Sequence, residues 1–216
     1  LPGTIKLAYL PSEGRVRLRL STRGKDKELL NSTIDEQIEK LKLIIPKLIF
    51  GEENDTLEQR IGQELLRVNA SVGSAESCTG GYVAHLITQV SGASAYFKGS
   101  VLAYNAAVKQ AVLGVQAKTI TDYGVVSKQV AEEMALGVQQ LMKVDYAIAT
   151  TGIAGPSGGT VDNPVGTIWT SVATPNGVQS VKYQLGTERV RNIKRSSTAV
   201  LLDLLHILER VDKKGE

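Results

Sequence analysis

The first quarter of the chain alternates apolar and polar residues as β-strands do, and then changes to a helical period. Two alternating runs between residues 5 and 24 flank a predicted turn at residues 11–14. In the second run one face is apolar and the other basic, with Val16, Leu18 and Leu20 on one side and Arg15, Arg17 and Arg19 on the other. From Ile34 to Ile45 the apolar residues recur every three or four positions, which predicts a helix.

The remaining residues alternate between helical and strand-like patterns. A helix is predicted after a capping-box pattern at Asp55 and Glu58, followed by a short strand that ends near Ala75. Further strands are predicted near residues 98–104 and 145–152, with a hairpin near 167–185 and a last helix from about Thr187. The fold class predicted is α/β, a three-layer α/β/α domain with a mixed sheet over residues 51–216, preceded by a small α+β module over residues 1–50.

Composition narrows the functional classes. The net charge of +3 over 216 residues is too small to indicate a nucleic-acid partner. The single cysteine excludes an internal disulfide and fits the reducing cytoplasm, and one cysteine with two histidines gives no basis for a zinc site. No apolar run has the length of a membrane span and no signal peptide opens the chain, so we expect a cytoplasmic protein without a membrane partner. Because the chain begins with Leu1, we expect a fragment of a longer protein.

The segment SAESCTGG, residues 74–81, places Ser77 where a strand ends and a helix begins. Ligands of α/β sheets bind at such strand ends. The amides of Thr79, Gly80 and Gly81 would point at an anion or a developing oxyanion. In the alternative, Ser77 or Thr79 only caps the helix. Cys78 is either a second nucleophile or a buried small apolar residue.

A second candidate region holds Ser94, Tyr104, Asn105 and Lys109. Tyr104 ends a predicted strand, and Asn105 is the predicted N-cap of the helix that carries Lys109. The positive helix end and partial burial would lower the pKa of Lys109, which would then act as a general base. The alternative is a solvated surface lysine.

Two further features suggest an anion site. Residues 151–166, TGIAGPSGGTVDNPVG, form a long glycine-rich loop in which backbone amides near Gly152 and Gly155 would cradle a phosphate or a ribose. Arg191 and Arg195 share one face of the last helix and Arg189 lies close by, with Arg191 the preferred phosphate ligand. The alternatives are a flexible connection and a solvated helix face.

Four segments in this order resemble the C-terminal domain of the CinA family over about residues 55–210: AESCTGG, SGASAYFKGSVLAYNAAVK, YGVVSKQVAEEMALG and TTGIAGPSGG followed by NPVGTIW. Residues 1–50 resemble the KH-like middle module of the longer family members. The resemblance implies hydrolysis of nicotinamide mononucleotide to nicotinate mononucleotide and ammonia, a step in the recycling of pyridine nucleotides towards NAD. It also implies a homodimer that needs no metal or other cofactor.

The resemblance also assigns roles to residues. Ser77 and Ser94 are both candidate nucleophiles, with Ser94 preferred because it shares a stretch with Tyr104 and Lys109. Thr79, Gly80, Gly81, Asn105, Gly152 and Gly155 are expected to contact the substrate, and Arg191 its phosphate. Asn163 stands where many relatives have a basic residue. The competing reading is a non-catalytic nucleotide-binding or sensor module. Nucleic acid is not expected, because residues 1–50 lack a G-x-x-G loop.

Overall fold

The structure, a computed structural model, describes residues 1–12, 15–46, 48–52 and 55–211 of the chain. The chain divides into two compact units, residues 1–54 and 55–216. The boundary between them lies four residues beyond the one expected from the sequence.

The first unit contains two strands and a helix, as the alternating and helical patterns predict. Strands β1 (Lys6–Ser12) and β2 (Arg15–Ser21) pair antiparallel. Residues 13 and 14 of the predicted turn lie outside the described residues. Helix α1 (Lys27–Ile44) begins where the carboxylate of Asp26 accepts the amides of Glu28 and Leu29. The expected small α+β unit is confirmed.

The second unit is built on one five-stranded mixed sheet. Its strands are β3 (Val72–Glu76), β4 (Phe97–Leu102), β5 (Tyr146–Gly152), β6 (Thr167–Thr174) and β7 (Gly177–Gln184). They lie in the order β4-β3-β5-β6-β7. The β3 strand is parallel to both of its neighbours, whereas β6 and β7 form the predicted antiparallel hairpin.

Helices cover both faces of the sheet and complete the predicted three layers. On one face α7 (Arg189–Leu208) lies over β5 and β6, beside α2 (Leu57–Arg67) and α3 (Tyr82–Thr88). On the other face α6 (Lys128–Met142) lies over the strands and contacts α4 (Ala106–Leu113) and α5 (Ala117–Tyr123). Neither α5 nor the short 3-10 helix at Ala93–Ala95 is evident in the sequence pattern.

Small strand residues allow α6 to approach the sheet closely. Val130, Met134 and Val138 of α6 are fully buried against a sheet surface that includes Ala147 and Ala149. Each apolar side chain of this size removed from water contributes about 1.5–3 kcal/mol. This burial holds α6 against the sheet, and α4 packs against α6.

The start of α2 differs from the prediction by one residue. Thr56, and not Asp55, is the N-cap: its hydroxyl accepts the amide of Gln59 at 3.3 Å, and the Gln59 side chain accepts the amide of Thr56 at 3.2 Å. Thr-x-x-Gln satisfies the same capping-box pattern one position along the chain.

Gly137 sets the distance between α4 and α6. A Cβ atom at this position would overlap the carbonyl oxygen of Leu113, at the end of α4. We expect Gly137→Ala to lower the free energy of unfolding by about 2 kcal/mol or more, because backbone must move to relieve the overlap. Gly186→Ala, where a Cβ meets nothing within 4 Å, is the matched control and should be nearly neutral. Urea denaturation measures both, and equal midpoints would contradict this account of the packing.

Candidate active site

The turn after β3 is organised by a buried carboxylate. Glu76 is 1% exposed, and its side chain accepts the hydroxyl of Thr79 at 2.7 Å and the amides of Gly81, Val83 and Ala84 at 3.0, 3.0 and 2.8 Å. The carboxylate therefore meets the positive N-terminal end of α3. Neither Ser77 nor Thr79 caps this helix, so the alternative interpretation of Ser77 as a cap does not hold. No known capping pattern places a carboxylate this many residues before a helix, so Glu76 could not be recognised from the sequence.

Two contacts with β5 hold the same turn from the other side. The amide of Ser77 donates to the carbonyl of Thr150 at 3.1 Å. The hydroxyls of Thr79 and Thr150 lie 2.7 Å apart. Since the single hydroxyl proton of Thr79 is directed at Glu76, Thr150 must be the donor in this pair. The Ser77 hydroxyl takes no part in this framework and is left for other chemistry.

Lys109 carries the partner of that hydroxyl. It is the fourth residue of α4, whose N-cap is Asn105 as predicted, with the Asn105 side-chain oxygen accepting the amide of Val108 at 2.9 Å. The Lys109 side chain is 2% exposed, and its Nζ donates to Ser77 Oγ at 2.8 Å and to the carbonyl of Ala103. Lys109 is thus a buried residue, and not the solvated surface lysine of the alternative reading.

Burial changes the ionisation of this lysine. It lowers the pKa of Lys109 to about 8, because both of its acceptors are neutral oxygens and the ammonium has lost most of its water. A lysine with such a pKa is partly neutral near physiological pH and then has a lone pair to accept a proton. The Ala103 carbonyl holds one N–H, which fixes the orientation of the amine towards Ser77.

Cys78, next to Ser77, has the opposite character. Its thiol is buried, and burial raises its pKa to about 12. Because the thiolate is the nucleophilic form of cysteine, this thiol is unreactive at neutral pH. The structure supports the interpretation of Cys78 as a small apolar residue.

A cavity of about 340 Å³ opens onto the Ser77–Lys109 pair, at the carboxyl ends of β3, β4 and β5. This volume is within the range of small-molecule sites. The wall includes the predicted Ser77, Lys109, Tyr104, Asn105 and Gly152. Its other residues are Cys78, Ala106, Val125, Val126, Thr151, Ala154 and Arg189.

Ser94, the preferred nucleophile of the sequence analysis, lies apart from this group. It is exposed in the 3-10 helix that precedes β4, whereas Tyr104 follows the end of β4. The length of β4, about 20 Å, therefore separates Ser94 from the strand ends where Ser77 and Lys109 meet. Ser94 is close to Tyr104 in sequence, but β4 runs between them, so Ser94 lies at the other end of that strand. The reason for preferring Ser94, its nearness in sequence to Tyr104 and Lys109, thus does not hold in the fold, where Ser77 is the serine that contacts Lys109.

Three residues expected to contact substrate through their amides lie outside the cavity wall. Thr79 is buried among Glu76 and Thr150, the amide of Gly80 donates to the carbonyl of Ser77 at 3.1 Å, and the amide of Gly81 donates to Glu76. The Thr79 hydroxyl and the amides of Gly80 and Gly81 are thus hydrogen-bonded within the turn itself. Of the residues in this turn, Ser77 and Cys78 face the cavity.

The glycine-rich loop approaches the cavity at one end. Gly152 is in the wall, and a Cβ there would come within 2.7 Å of the Thr167 carbonyl oxygen. Gly155 has a positive φ of 91° and directs its carbonyl oxygen at the Arg189 guanidinium, 3.2 Å away. Both glycines are therefore required by the packing of the loop itself.

The arginine at the cavity is Arg189 and not the predicted Arg191. Arg189, the first residue of α7, lines the cavity and donates to the phenol oxygen of Tyr104 at 2.8 Å. Arg191 is exposed and outside the wall. The preference for Arg191 depends on its nearness to the first helical turn and on the family resemblance. The helix begins at Arg189, after the N-cap Glu188, whose carboxylate accepts the amides of Val190 and Arg191.

The described residues contain neither a metal-binding cluster nor a membrane-spanning helix. Over residues 1–12, 15–46, 48–52 and 55–211 there is no group of three or more histidine, cysteine, aspartate or glutamate side chains placed to hold a metal ion. Within the same ranges no helix combines the length and apolar character that a membrane crossing requires.

Comparison with known proteins places most of the chain in a family. The family model described as the CinA C-terminal domain matches residues 54–208. A CinA-like protein of Flavobacterium psychrophilum is 50% identical over 93% of this chain, and one of Cytophaga hutchinsonii is 43% identical over 93%. This chain spans about half the length of these curated relatives, 48% in both cases.

Solved structures show the same fold. The competence/damage inducible protein CihA from Agrobacterium tumefaciens is 32% identical, with a TM-score of 0.69 over 75% of this chain and 99% of that one. A competence-damaged protein (CinA) superfamily protein from Klebsiella pneumoniae is 27% identical, also with a TM-score of 0.69, over 71% of this chain and 96% of that one.

The buried lysine has a measurable effect on stability. The unfolded chain keeps the Lys109 proton up to pH about 10.5, whereas the native state loses it near pH 8, so the native protein gains stability relative to a Lys109→Met variant as the pH rises between these values. We expect the difference to approach about 2–3 kcal/mol across this window. Urea denaturation at pH 7 to 10.5 measures it. Lys118→Met, at an exposed lysine of α5, is the control, and a parallel pH dependence of the Lys109 variant and the wild type would contradict the assignment.

Proposed function

This chain belongs to the CinA family, and on that premise we propose that it hydrolyses the carboxamide of nicotinamide mononucleotide to give nicotinate mononucleotide and ammonia. The observation that carries the proposal is the 2.8 Å contact between Lys109 Nζ and Ser77 Oγ at the base of the cavity. A serine beside a buried amine of lowered pKa is the arrangement of a Ser-Lys hydrolase. The reaction would recycle pyridine nucleotides towards NAD.

In the first half of the reaction, neutral Lys109 takes the hydroxyl proton of Ser77 as Oγ attacks the amide carbon. The tetrahedral intermediate then collapses, the C–N bond breaks, and the Lys109 ammonium returns the proton to the departing nitrogen, which leaves as ammonia. The product of this half is an ester between Ser77 and the nicotinate carbonyl. Lys109 acts directly, because Tyr104 contacts Arg189 and makes no recorded hydrogen bond to the lysine within the described residues.

In the second half, Lys109 takes a proton from water, the resulting hydroxide attacks the ester, and Ser77 is released as its hydroxyl. A developing oxyanion needs a donor in both halves. The amides of Gly80 and Gly81 are already engaged within the turn. We therefore assign this role to the amide of Cys78, the residue directly after the nucleophile and part of the cavity wall.

The choice of serine is tested by two alanine variants. Ser77→Ala should lower kcat for ammonia release by at least about 1000-fold, because no other hydroxyl among the described residues is hydrogen-bonded to Lys109. Ser94→Ala is the matched control and should stay within about twofold of the wild type, since Ser94 lies at the opposite edge of the sheet. Mass spectrometry of the quenched wild-type enzyme should detect the acyl group on residue 77. Loss of activity in Ser94→Ala with retention in Ser77→Ala would overturn the assignment.

The pH profile tests the base. We expect kcat/KM to rise with pH and to level off above about pH 8, because only the neutral form of Lys109 accepts the serine proton. Lys109→Arg should abolish turnover, since a guanidinium stays charged throughout this range. A flat profile between pH 6 and 9 would contradict the role of Lys109. A folded wild-type protein that binds the nucleotide and releases no ammonia would instead indicate the sensor function.

A further inference from the structure

The positive charge of the chain is concentrated in its first 25 residues. They contain six lysines and arginines and one glutamate, whereas residues 26–216 contain 19 lysines and arginines and 21 aspartates and glutamates. The net charge of +3 is therefore a balance between +5 in the short first segment and −2 over the rest of the chain. The charge of the whole chain thus does not describe the surface that the first segment forms.

Pairing of β1 with β2 brings three of these cations to one face of a two-stranded ribbon. Lys6 lies opposite Ser21, and Arg19 and Arg17 follow at every second position back along β2. Because side chains alternate between the faces of a strand and paired residues share a face, Lys6, Arg17 and Arg19 lie on the same face. All three are exposed, whereas Leu18, between the two arginines, is partly buried on the opposite face. The ribbon therefore presents a basic face, formed by Lys6, Arg17 and Arg19, to solvent.

The three cations of the basic face have no recorded carboxylate partner in the part of the chain that the structure describes. The ion pairs recorded in the same unit belong to Lys40 and Lys42 of α1, whose ammonium groups contact glutamate carboxylates. An exposed cation without a neighbouring carboxylate keeps its field for an anion that approaches. The basic face and the lysines of α1 thus differ in how far the protein itself neutralises them.

The spacing of the two arginines indicates which kind of anion fits. Every second residue of an antiparallel strand is displaced by about 6.8 Å, so the Arg17 and Arg19 side chains leave the ribbon at this interval. Consecutive phosphates of an extended single strand of nucleic acid follow one another at a comparable distance. A guanidinium also binds a phosphate through two parallel hydrogen bonds. A row of cations at this spacing therefore matches a row of phosphates, whereas a single small anion would leave part of the row unused.

We infer that the basic face binds single-stranded nucleic acid through its phosphates, without preference for a base sequence. The inference goes beyond the proposed hydrolysis and uses none of its residues. The expectation that nucleic acid is not a partner depends on the net charge of the whole chain and on the missing G-x-x-G loop. The first does not describe this face. The second concerns a loop, whereas the contacts inferred here come from strand side chains that bind phosphates.

The test measures binding of a labelled single-stranded oligonucleotide of mixed sequence by fluorescence anisotropy at several salt concentrations. The full chain should bind with a Kd of roughly 10⁻⁶ to 10⁻⁴ M at physiological salt. The double variant Arg17→Gln/Arg19→Gln should bind at least about tenfold more weakly, and should lower the slope of log K against log salt by about 1.4, or about 0.7 for each lost phosphate contact. Lys40→Gln/Lys42→Gln removes the same charge from the same unit and should stay within about twofold of the wild type. Equal losses in the two double variants, or an unchanged salt slope in the arginine variant, would overturn the inference.

Competing anions identify the partner. Polyglutamate, a duplex of the same sequence and vesicles containing phosphatidylserine are each added to the bound oligonucleotide at equal total charge. All three should displace it less well than the unlabelled single strand, because none of them offers an extended row of phosphates on one flexible chain. Displacement by polyglutamate or by the vesicles that equals that of the single strand would assign the face to an acidic protein or a membrane and refute the inference. Tighter binding of the duplex would refute the match to a single strand.

A measurement of hydrolysis keeps this inference separate from the proposed function. Ammonia release from nicotinamide mononucleotide by Arg17→Gln/Arg19→Gln should stay within about twofold of the wild type, since neither arginine lines the cavity. The oligonucleotide titration needs no turnover, so it decides the inference even if the wild type releases no ammonia. A loss of ammonia release in this variant that parallels its loss of oligonucleotide binding would contradict a separate nucleic-acid surface.

Discussion

The burial of the Lys109 amine is the constraint on which the candidate site depends. An ammonium group removed from water loses hydration that two neutral acceptors, Ser77 Oγ and the Ala103 carbonyl, only partly replace. The rest of the second unit holds the lysine in place: Asn105 begins its helix, and Gly137 of α6 lets the end of that helix pack closely. Lys109 can be neutral at near-neutral pH because the fold keeps its amine buried, whereas the charged form would be more stable in water.

Two buried side chains of the site, Glu76 and Lys109, have opposite surroundings. Glu76 receives a hydroxyl and three amides, which supply the hydrogen bonds and positive potential that a carboxylate needs. Lys109 receives only neutral oxygens and no recorded carboxylate. The first arrangement stabilises a charge and makes a rigid turn, whereas the second destabilises a charge and makes a reactive amine. Ser77 stands between them, with its amide bonded to Thr150 and its hydroxyl bonded to Lys109.

Most elements of the fold could be predicted from the sequence because they have local signals, whereas α5 and the 3-10 helix at Ala93–Ala95 have none. The hairpin, the mixed sheet and the helix capped by Asn105 follow from periodicity and capping residues. The site could be predicted only in part, since contacts between segments have no such signal. Ser94 is ten residues from Tyr104, but β4 lies between them. Arg189 and Arg191 are two residues apart and therefore point about 200° apart around α7, and no local pattern tells which of them faces the cavity.

Parallel pairing explains why residues so far apart in sequence meet. Because β3 and β4 run in the same direction, the segments that follow them emerge at one edge, which brings Ser77 beside the helix that bears Lys109. The Arg189 guanidinium comes from a different part of the chain, the start of α7 after the β6–β7 hairpin. The Ser77–Lys109 contact thus depends on the β3–β4 pair, whereas Arg189 is an exposed side chain at a helix end. The two share a cavity, but no hydrogen bond joins them within the described residues.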